Sequence, residues 1–346
     1  MVSMLCFMLY QQMQHSRQAY YLEYTANHVL GNCTAQVIQF DGDIKRFESL
    51  LQNAAALVML RLQSDEPLQE YPFYPIEILN DRETYPASLV KSPIYQHYVD
   101  FQAMSYLKPM TDLKSREHGL KIASIMPELR KLLLKSSTPE KNLNPDYDIL
   151  EQKAIHNGIP LLRFLIGFPD GQVYHYPAMT QIPENYAVKD RFWFHNGMSS
   201  KNNNPVWTSP YLDIWPENGP LLTCYMPLRR DQTPDGVIAL DLSLRNVVRN
   251  ILQSGGTPYL LEQILLNSRG QVLVSTDPLH QPESLINRPE EVQIDNFYHD
   301  EMLLDRILSM KTGIIRSTEA DKSIAYVFHQ LQSLDWIYLE KIDLEQ

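Results

Sequence analysis

Three cysteines in 346 residues are too few for a disulfide framework or a thiolate zinc site, and Cys6, Cys33 and Cys224 show no CxxC spacing. At most one pair can bridge. Cys33 and Cys224 are either a disulfide formed in an oxidising compartment or, the better-founded reading, two small buried apolar side chains. Catalytic signatures are missing as well: there is no HExxH, GxSxG, P-loop or GxGxxG, and the ten histidines are scattered without ligand spacing. The chain does not read as an enzyme, and no cofactor or metal is called for. Positive charge is in deficit. Thirty Lys and Arg against 41 Asp and Glu leave a formal charge of -11, which repels nucleic acid and anionic lipid. The apolar opening, residues 1–10, covers only half of the roughly 20 residues that cross a bilayer. It lacks the basic region and cleavage site of a complete signal peptide. It reads as the outer end of a truncated transmembrane helix over 1–12, or as a buried N-terminal strand or helical turn.

What is present is enough to fold. Hydrophobic residues make up 44% and charged residues 21%, so a core can form, and the length suits two domains sharing an element. From Leu22 apolar residues recur at Ala26, Val29, Cys33, Val37, Phe40, Ile44, Phe47, Leu51, Ala54, Val58 and Leu62. Steps of three and four without a proline predict one long amphipathic helix over 13–63, or two nearly collinear ones meeting at Gly42. From Leu22 to Leu62 it runs for roughly 60 Å, so it packs along two domains or leads away from a membrane.

Prolines and tyrosines after Asp65 suggest irregular wrapping, followed by helical segments over 92–106 and 120–134 and a solvated loop over 135–142. Then the period changes. Leu161 to Phe168, the turn Pro169-Asp170-Gly171 and Gln172 to Tyr176 form a hairpin. Strands over 221–226 and 237–242 extend an antiparallel sheet, a helix over 244–252 follows, and 254–258 breaks it as a linker. Beyond it Gln263 to Asn267, Ser268-Arg269-Gly270 and Gln271 to Ser275 repeat the hairpin. Strands at 313–316, 324–328 and 336–340 complete a smaller copy of the first sheet. The expected fold is α+β: a long N-terminal helix and two domains with antiparallel sheets, over 64–253 and 254–346.

The informative segments are Tyr186-Ala187-Val188-Lys189-Asp190-Arg191-Phe192-Trp193-Phe194, Trp207-Thr208-Ser209-Pro210-Tyr211 and Gly236-Val237-Ile238-Ala239-Leu240-Asp241. Their order resembles the double Cache family of extracytoplasmic sensors, in which a tyrosine, Arg-Pro-Trp-Tyr, Trp-Thr-x-Pro-Tyr and Gly-Val-x-x-x-Asp follow one another. The likeness covers most of the chain, is strongest from Phe164 to Asp241, and implies that both domains are PAS-like. In the amino-acid-binding subclass six such residues form the site. Tyr186, Arg191, Trp193, Tyr211 and Asp241 match, Phe194 replaces a tyrosine, and Phe192 replaces the middle proline.

The resemblance implies a membrane-anchored sensor facing the periplasm or cell exterior, with flanking transmembrane helices and a homodimer formed through the N-terminal helix. It also implies a small-molecule ligand in the domain over 64–253, an amino acid or a small carboxylate, and no nucleic-acid partner. A soluble or anchored solute-binding protein needs the same chemistry. In that chemistry Arg191 offers a planar fork to a carboxylate. Trp193, two residues along an extended segment, adds its indole N–H, and Asp241 with the Tyr186 and Tyr211 hydroxyls meets an ammonium. Asp213 is a further ammonium partner or a turn residue. The opposing reading makes Arg191 and Asp241 a structural ion pair among core aromatics. The loop 199–204 is a lid or a plain solvent loop.

Overall fold

The computed structural model describes residues 2–67, 69–95, 97–108, 110–138, 145–183, 186–212, 220–230, 233–247, 260–277, 292–293, 298–319 and 322–344. Helix α1, Val2–Gln63, is a single helix of 62 residues, about 90 Å long, and it runs unbroken across Gly42. The expected stripe is the buried one: every member from Ala26 to Val58 is sealed from solvent, while Tyr20, Tyr21, Tyr24 and Ile38 are exposed. Among the described residues no helix is long and apolar enough to cross a membrane.

Contacts divide the chain into a larger unit, residues 44–250 and 284–293, and a smaller one, residues 1–43, 251–283 and 294–346. In the larger unit the central strands are β1 (Leu161–Gly167), β2 (Val173–Tyr176), β3 (Tyr211–Leu212), β4 (Pro220–Arg229) and β5 (Pro234–Ser243). They lie in the order β2-β1-β5-β4-β3 and pair antiparallel. Strand Met104–Tyr106 extends the sheet antiparallel at β2, and Phe73–Pro75 follows it in parallel.

In the smaller unit β6 (Leu260–Leu266), β7 (Val272–Ser275), β8 (Gly313–Glu319), β9 (Lys322–Leu331) and β10 (Trp336–Asp343) form a second antiparallel sheet, in the order β7-β6-β10-β9-β8. Both sheets therefore run second, first, fifth, fourth, third, the PAS-like repeat that the sequence predicts. Each first hairpin turns on a glycine in the left-handed region, Gly171 at φ 92° and Gly270 at φ 81°, which residues with a Cβ rarely adopt. Register repeats too. Arg163 stands opposite Asp241 in the larger unit, and Glu262 stands opposite Lys341 in the smaller.

Helices α2 (Leu113–Ala123), α3 (Met126–Lys135) and α4 (Tyr147–Asn157) belong to the larger unit. Asp112 starts α2 with a reciprocal cap to Ser115, and Asp146 caps α4. The helix expected over 120–134 is thus two, broken at Ser124 and Ile125. The helix expected over 92–106 is absent, replaced by turns and the strands Tyr98–Asp100 and Met104–Tyr106. There the Ser92 hydroxyl accepts from the backbone N–H groups of Ile94 and Tyr95 at 3.2 Å each, a local turn that competes with helix. Of the helix expected over 244–252, Leu244–Val247 is helical, and the remainder, with the 254–258 linker, lies outside the described residues. Cys33 and Cys224 are free and buried in different units. Burial first, then Glu340 near Cys33 and Glu48 near Cys224, pushes both thiols well up.

Candidate functional site

The strand period of two puts Arg163, Leu165 and Gly167 on one face of β1, with His175 opposite Leu165 and Asp241, Ala239 and Val237 opposite the three in turn. Thr223, opposite Asp241, and Tyr225 extend this face onto β4. Helix α5, Phe192–Ser199, packs on it. Trp193 and Phe194 are buried against Leu165, Val173, Val188, Tyr225, Val237 and Ala239. Two glycines allow the approach. A Cβ on Gly167 would stand 2.9 Å from atoms of Trp193, Phe194 and Val188, and one on Gly197 only 2.6 Å from Val237.

This corrects the expected conformation around Trp193. A short 3-10 turn, Val188–Asp190, leads into Arg191, whose carbonyl accepts from the N–H groups of Phe194 at 3.1 Å and His195 at 3.0 Å. Arg191 is therefore the residue at which helix begins, and Trp193 lies inside the helix, not two places along an extended segment. The buried residues Trp193, Phe194 and Gly197 share a helical face, and burying that face is what folds the segment. At 2% exposure the indole is core packing. Phe194, buried among apolar side chains, sits where a tyrosine hydroxyl would need a partner of its own.

The remaining motif residues meet three that the sequence reading did not assign to the site. The Arg191 guanidinium lies over the ring of half-buried Tyr186, 4.5 Å from its centre. The Tyr186 ring meets the His175 ring edge-on at 5.6 Å. His175 is sealed from solvent, and burial first, then the nearby Arg163 charge, pushes its pKa well below the usual 6.5. Arg163 Nε donates to Asp241 Oδ2 at 2.6 Å, with the side chains 2% and 0% exposed. The Thr223 hydroxyl donates to Asp241 Oδ1 at 2.6 Å and is bonded to the Tyr211 hydroxyl at 2.7 Å. Tyr186 and Arg191 thus stand together beside His175, and Tyr211 and Asp241 join through Thr223 and Arg163, two groups on one sheet face.

Two expectations change with it. The ion pair of Asp241 is made with Arg163, so the carboxylate assigned to an ammonium already faces a guanidinium. Arg163 left a signal in the sequence, a lone charge inside the apolar run Leu161 to Phe168, since a buried strand admits a charge only with a partner. Asp213 lies outside the described residues. The loop over 199–204 is largely exposed and tethered, the Arg229 guanidinium donating to the Ser200 carbonyl. Among the described residues no group of three or more His, Cys, Asp or Glu is placed to hold a metal.

A cavity of about 920 Å³ lies on the opposite face of the sheet, where Phe168, Tyr174 and His118 meet the start of α2. Two of its lysines have partners within it. Lys121 pairs with Glu117 at 3.2 Å, and Lys108 donates to the Asp170 carbonyl at 2.5 Å. It is the weaker candidate, because the motif residues line the other face.

No protein-family model matches the chain, and no curated protein does. Among solved structures, it is similar to the ligand-binding domain of the Campylobacter jejuni chemoreceptor Tlp3 in complex with 4-methylisoleucine, at 10% identity and TM-score 0.48, with 94% of each chain covered. It is also similar to the ligand-binding domain of the Pseudomonas fluorescens chemoreceptor CtaA in complex with L-isoleucine, at 12% identity and TM-score 0.47, covering 94% of this chain and 95% of that one. A third is the ligand-binding domain of the Pseudomonas aeruginosa PAO1 amino acid chemoreceptor PctC in complex with GABA, at 13% identity and TM-score 0.45, covering 92% of this chain and 100% of that one.

Proposed function

We propose that this chain is the extracytoplasmic sensor region of a transmembrane signalling receptor of double Cache type. It faces the periplasm or cell exterior, pairs with a second copy through α1, and catalyses no reaction. Its larger unit binds a small carboxylate-bearing ligand, an amino acid in the reading the resemblance implies. The observation that supports this is the convergence of the motif residues on one sheet face. Tyr186, Arg191, Tyr211 and Asp241 come from three separate stretches of sequence and gather in two groups on one sheet face. A structural ion pair alone would need only two of them.

In this reading the Arg191 fork receives the ligand carboxylate, and Tyr186, stacked beneath it, fixes the plane of the fork. Trp193 and Phe194 act from below by fixing α5, and with it the N-terminal residue Arg191, on the sheet. A thermal-shift screen of amino acids and small carboxylates, followed by calorimetry on the hits, tests the proposal. Saturable binding that Arg191→Ala removes is the expected result. Hits that Arg191→Ala leaves at full affinity, or none in either class, would sink it.

A further inference from the structure

The ion pair inside the site bears on which carboxylate it prefers. Both oxygens of Asp241 accept strong hydrogen bonds, Oδ2 from Arg163 and Oδ1 from Thr223, and the side chain is wholly buried. An ammonium brought to Asp241 would arrive beside the Arg163 guanidinium, which already holds that carboxylate. In a buried setting two cations so close repel strongly, and little solvent is present to screen them. Arg163 stands on the sheet face that Tyr186 and the helix begun by Arg191 pack against. The flanking charges Lys189 and Asp190 are exposed, and solvent weakens their influence. A ligand that brings a carboxylate and no cation matches this arrangement better than a zwitterion.

We infer that the site selects small carboxylates without an ammonium group over the matching amino acids, and that Arg163 is the residue that sets this preference. The inference rests on the sensor reading and narrows its ligand. It assigns Arg163 a positioning role, acting through Asp241.

The test is calorimetry of the full chain with matched ligands: L-alanine, L-lactate and propionate, and L-isoleucine with its 2-hydroxy and unsubstituted acids. The unsubstituted and 2-hydroxy acids are expected to bind about tenfold more tightly than the amino acids. Arg163→Lys, which keeps the charge, should retain the ranking. Arg163→Gln, which releases Asp241, should invert it, provided its melting curve shows a folded protein; Arg163→Lys carries the test if it does not. Amino acids binding about tenfold more tightly than their matched acids in the unmodified chain would overturn the inference and leave the sensor proposal standing. An unchanged ranking in folded Arg163→Gln would remove Arg163 as its determinant. Binding by neither class would overturn the sensor proposal itself.

Discussion

Arg163 donates through Nε to Oδ2 of Asp241 at 2.6 Å, across adjacent strands and with both side chains sealed from water. A pair so placed is costly to form and costlier to break, because removing one partner strands the other's charge in the interior. Arg163→Ala is expected to lower the unfolding free energy by about 3–5 kcal/mol. Arg163→Met with Asp241→Leu, which removes both charges at similar volume, should recover most of that loss. Urea unfolding of the three proteins measures it, and equal stability of the single and double variants would contradict it.

Arg191 is buried too, at 7% exposure, but its guanidinium lies over the half-buried Tyr186 ring and not in the ion pair of Arg163 with Asp241. Arg191→Ala should weaken ligand binding about a hundredfold, the scale of two charge-assisted hydrogen bonds. The fold should stay intact. Titration calorimetry reads the first half and a melting curve the second.

His175 makes stability depend on pH. Its pKa is pushed down in the folded protein, by burial and then by Arg163, while in the unfolded chain it is about 6.5. As pH falls below about 6.5 the unfolded chain takes up a proton that the folded one refuses, so stability is lost on the acid side and fully present above it. The slope is about 1.4 kcal/mol per pH unit for one proton. His175→Gln should lose less stability than the parent between pH 7.5 and 5.5. Parallel stability profiles for the two proteins would rule out this contribution.

The seat of α5 depends on two missing side chains. Gly167→Ala and Gly197→Ala each push a methyl to within 2.9 Å of neighbouring side chains, an overpacking that costs about 1–3 kcal/mol. Both should also weaken ligand binding, because Arg191 begins the displaced helix. Chemical unfolding alongside calorimetry would expose a variant that loses neither.

Signalling through α1 predicts a change at its exposed early turns. Cysteines placed from Gln12 to Tyr20, where the helix surface is open, should crosslink at different rates with and without ligand in a membrane-anchored receptor. A ligand shifts two arrangements only by the difference in its affinity for them, so a modest change is expected. Identical rates alongside confirmed binding would mean that the signal does not run down this helix.

Much of the fold was legible because it obeys simple periods. The stripe from Ala26 to Val58 is buried member for member, and both hairpins turn where Asp170-Gly171 and Arg269-Gly270 predict. The failures have local causes. Around Ser92 a side chain offers the backbone hydrogen bonds that compete with helix. At Trp193 a two-residue spacing was read as strand, whereas Phe194 and Gly197 complete a helical face. In the site, Tyr186, Arg191, Tyr211 and Asp241 could be picked out from motif order. The partnership of Asp241 with Arg163 could not, because it depends on which strand lies beside which.

The matching registers of the two sheets carry one more consequence, for assembly. In the first and fifth strands of each repeat opposite charges stand across from one another in register, Arg163 and Asp241 as an ion pair in one, Glu262 and Lys341 in the other, where Lys341 itself pairs with Glu319, and the polarity is reversed. If β1 were taken up by the wrong repeat, Arg163 would face Lys341, and β6 would set Glu262 against Asp241. Chains built from similar repeats risk such exchanges, because the hydrophobic pattern that guides one hairpin suits the other. Here the correct partnership sets opposite charges in register and the exchanged one sets like charges against each other. Two copies of one topology can thus fold in a single chain, each strand distinguished by the sign it carries.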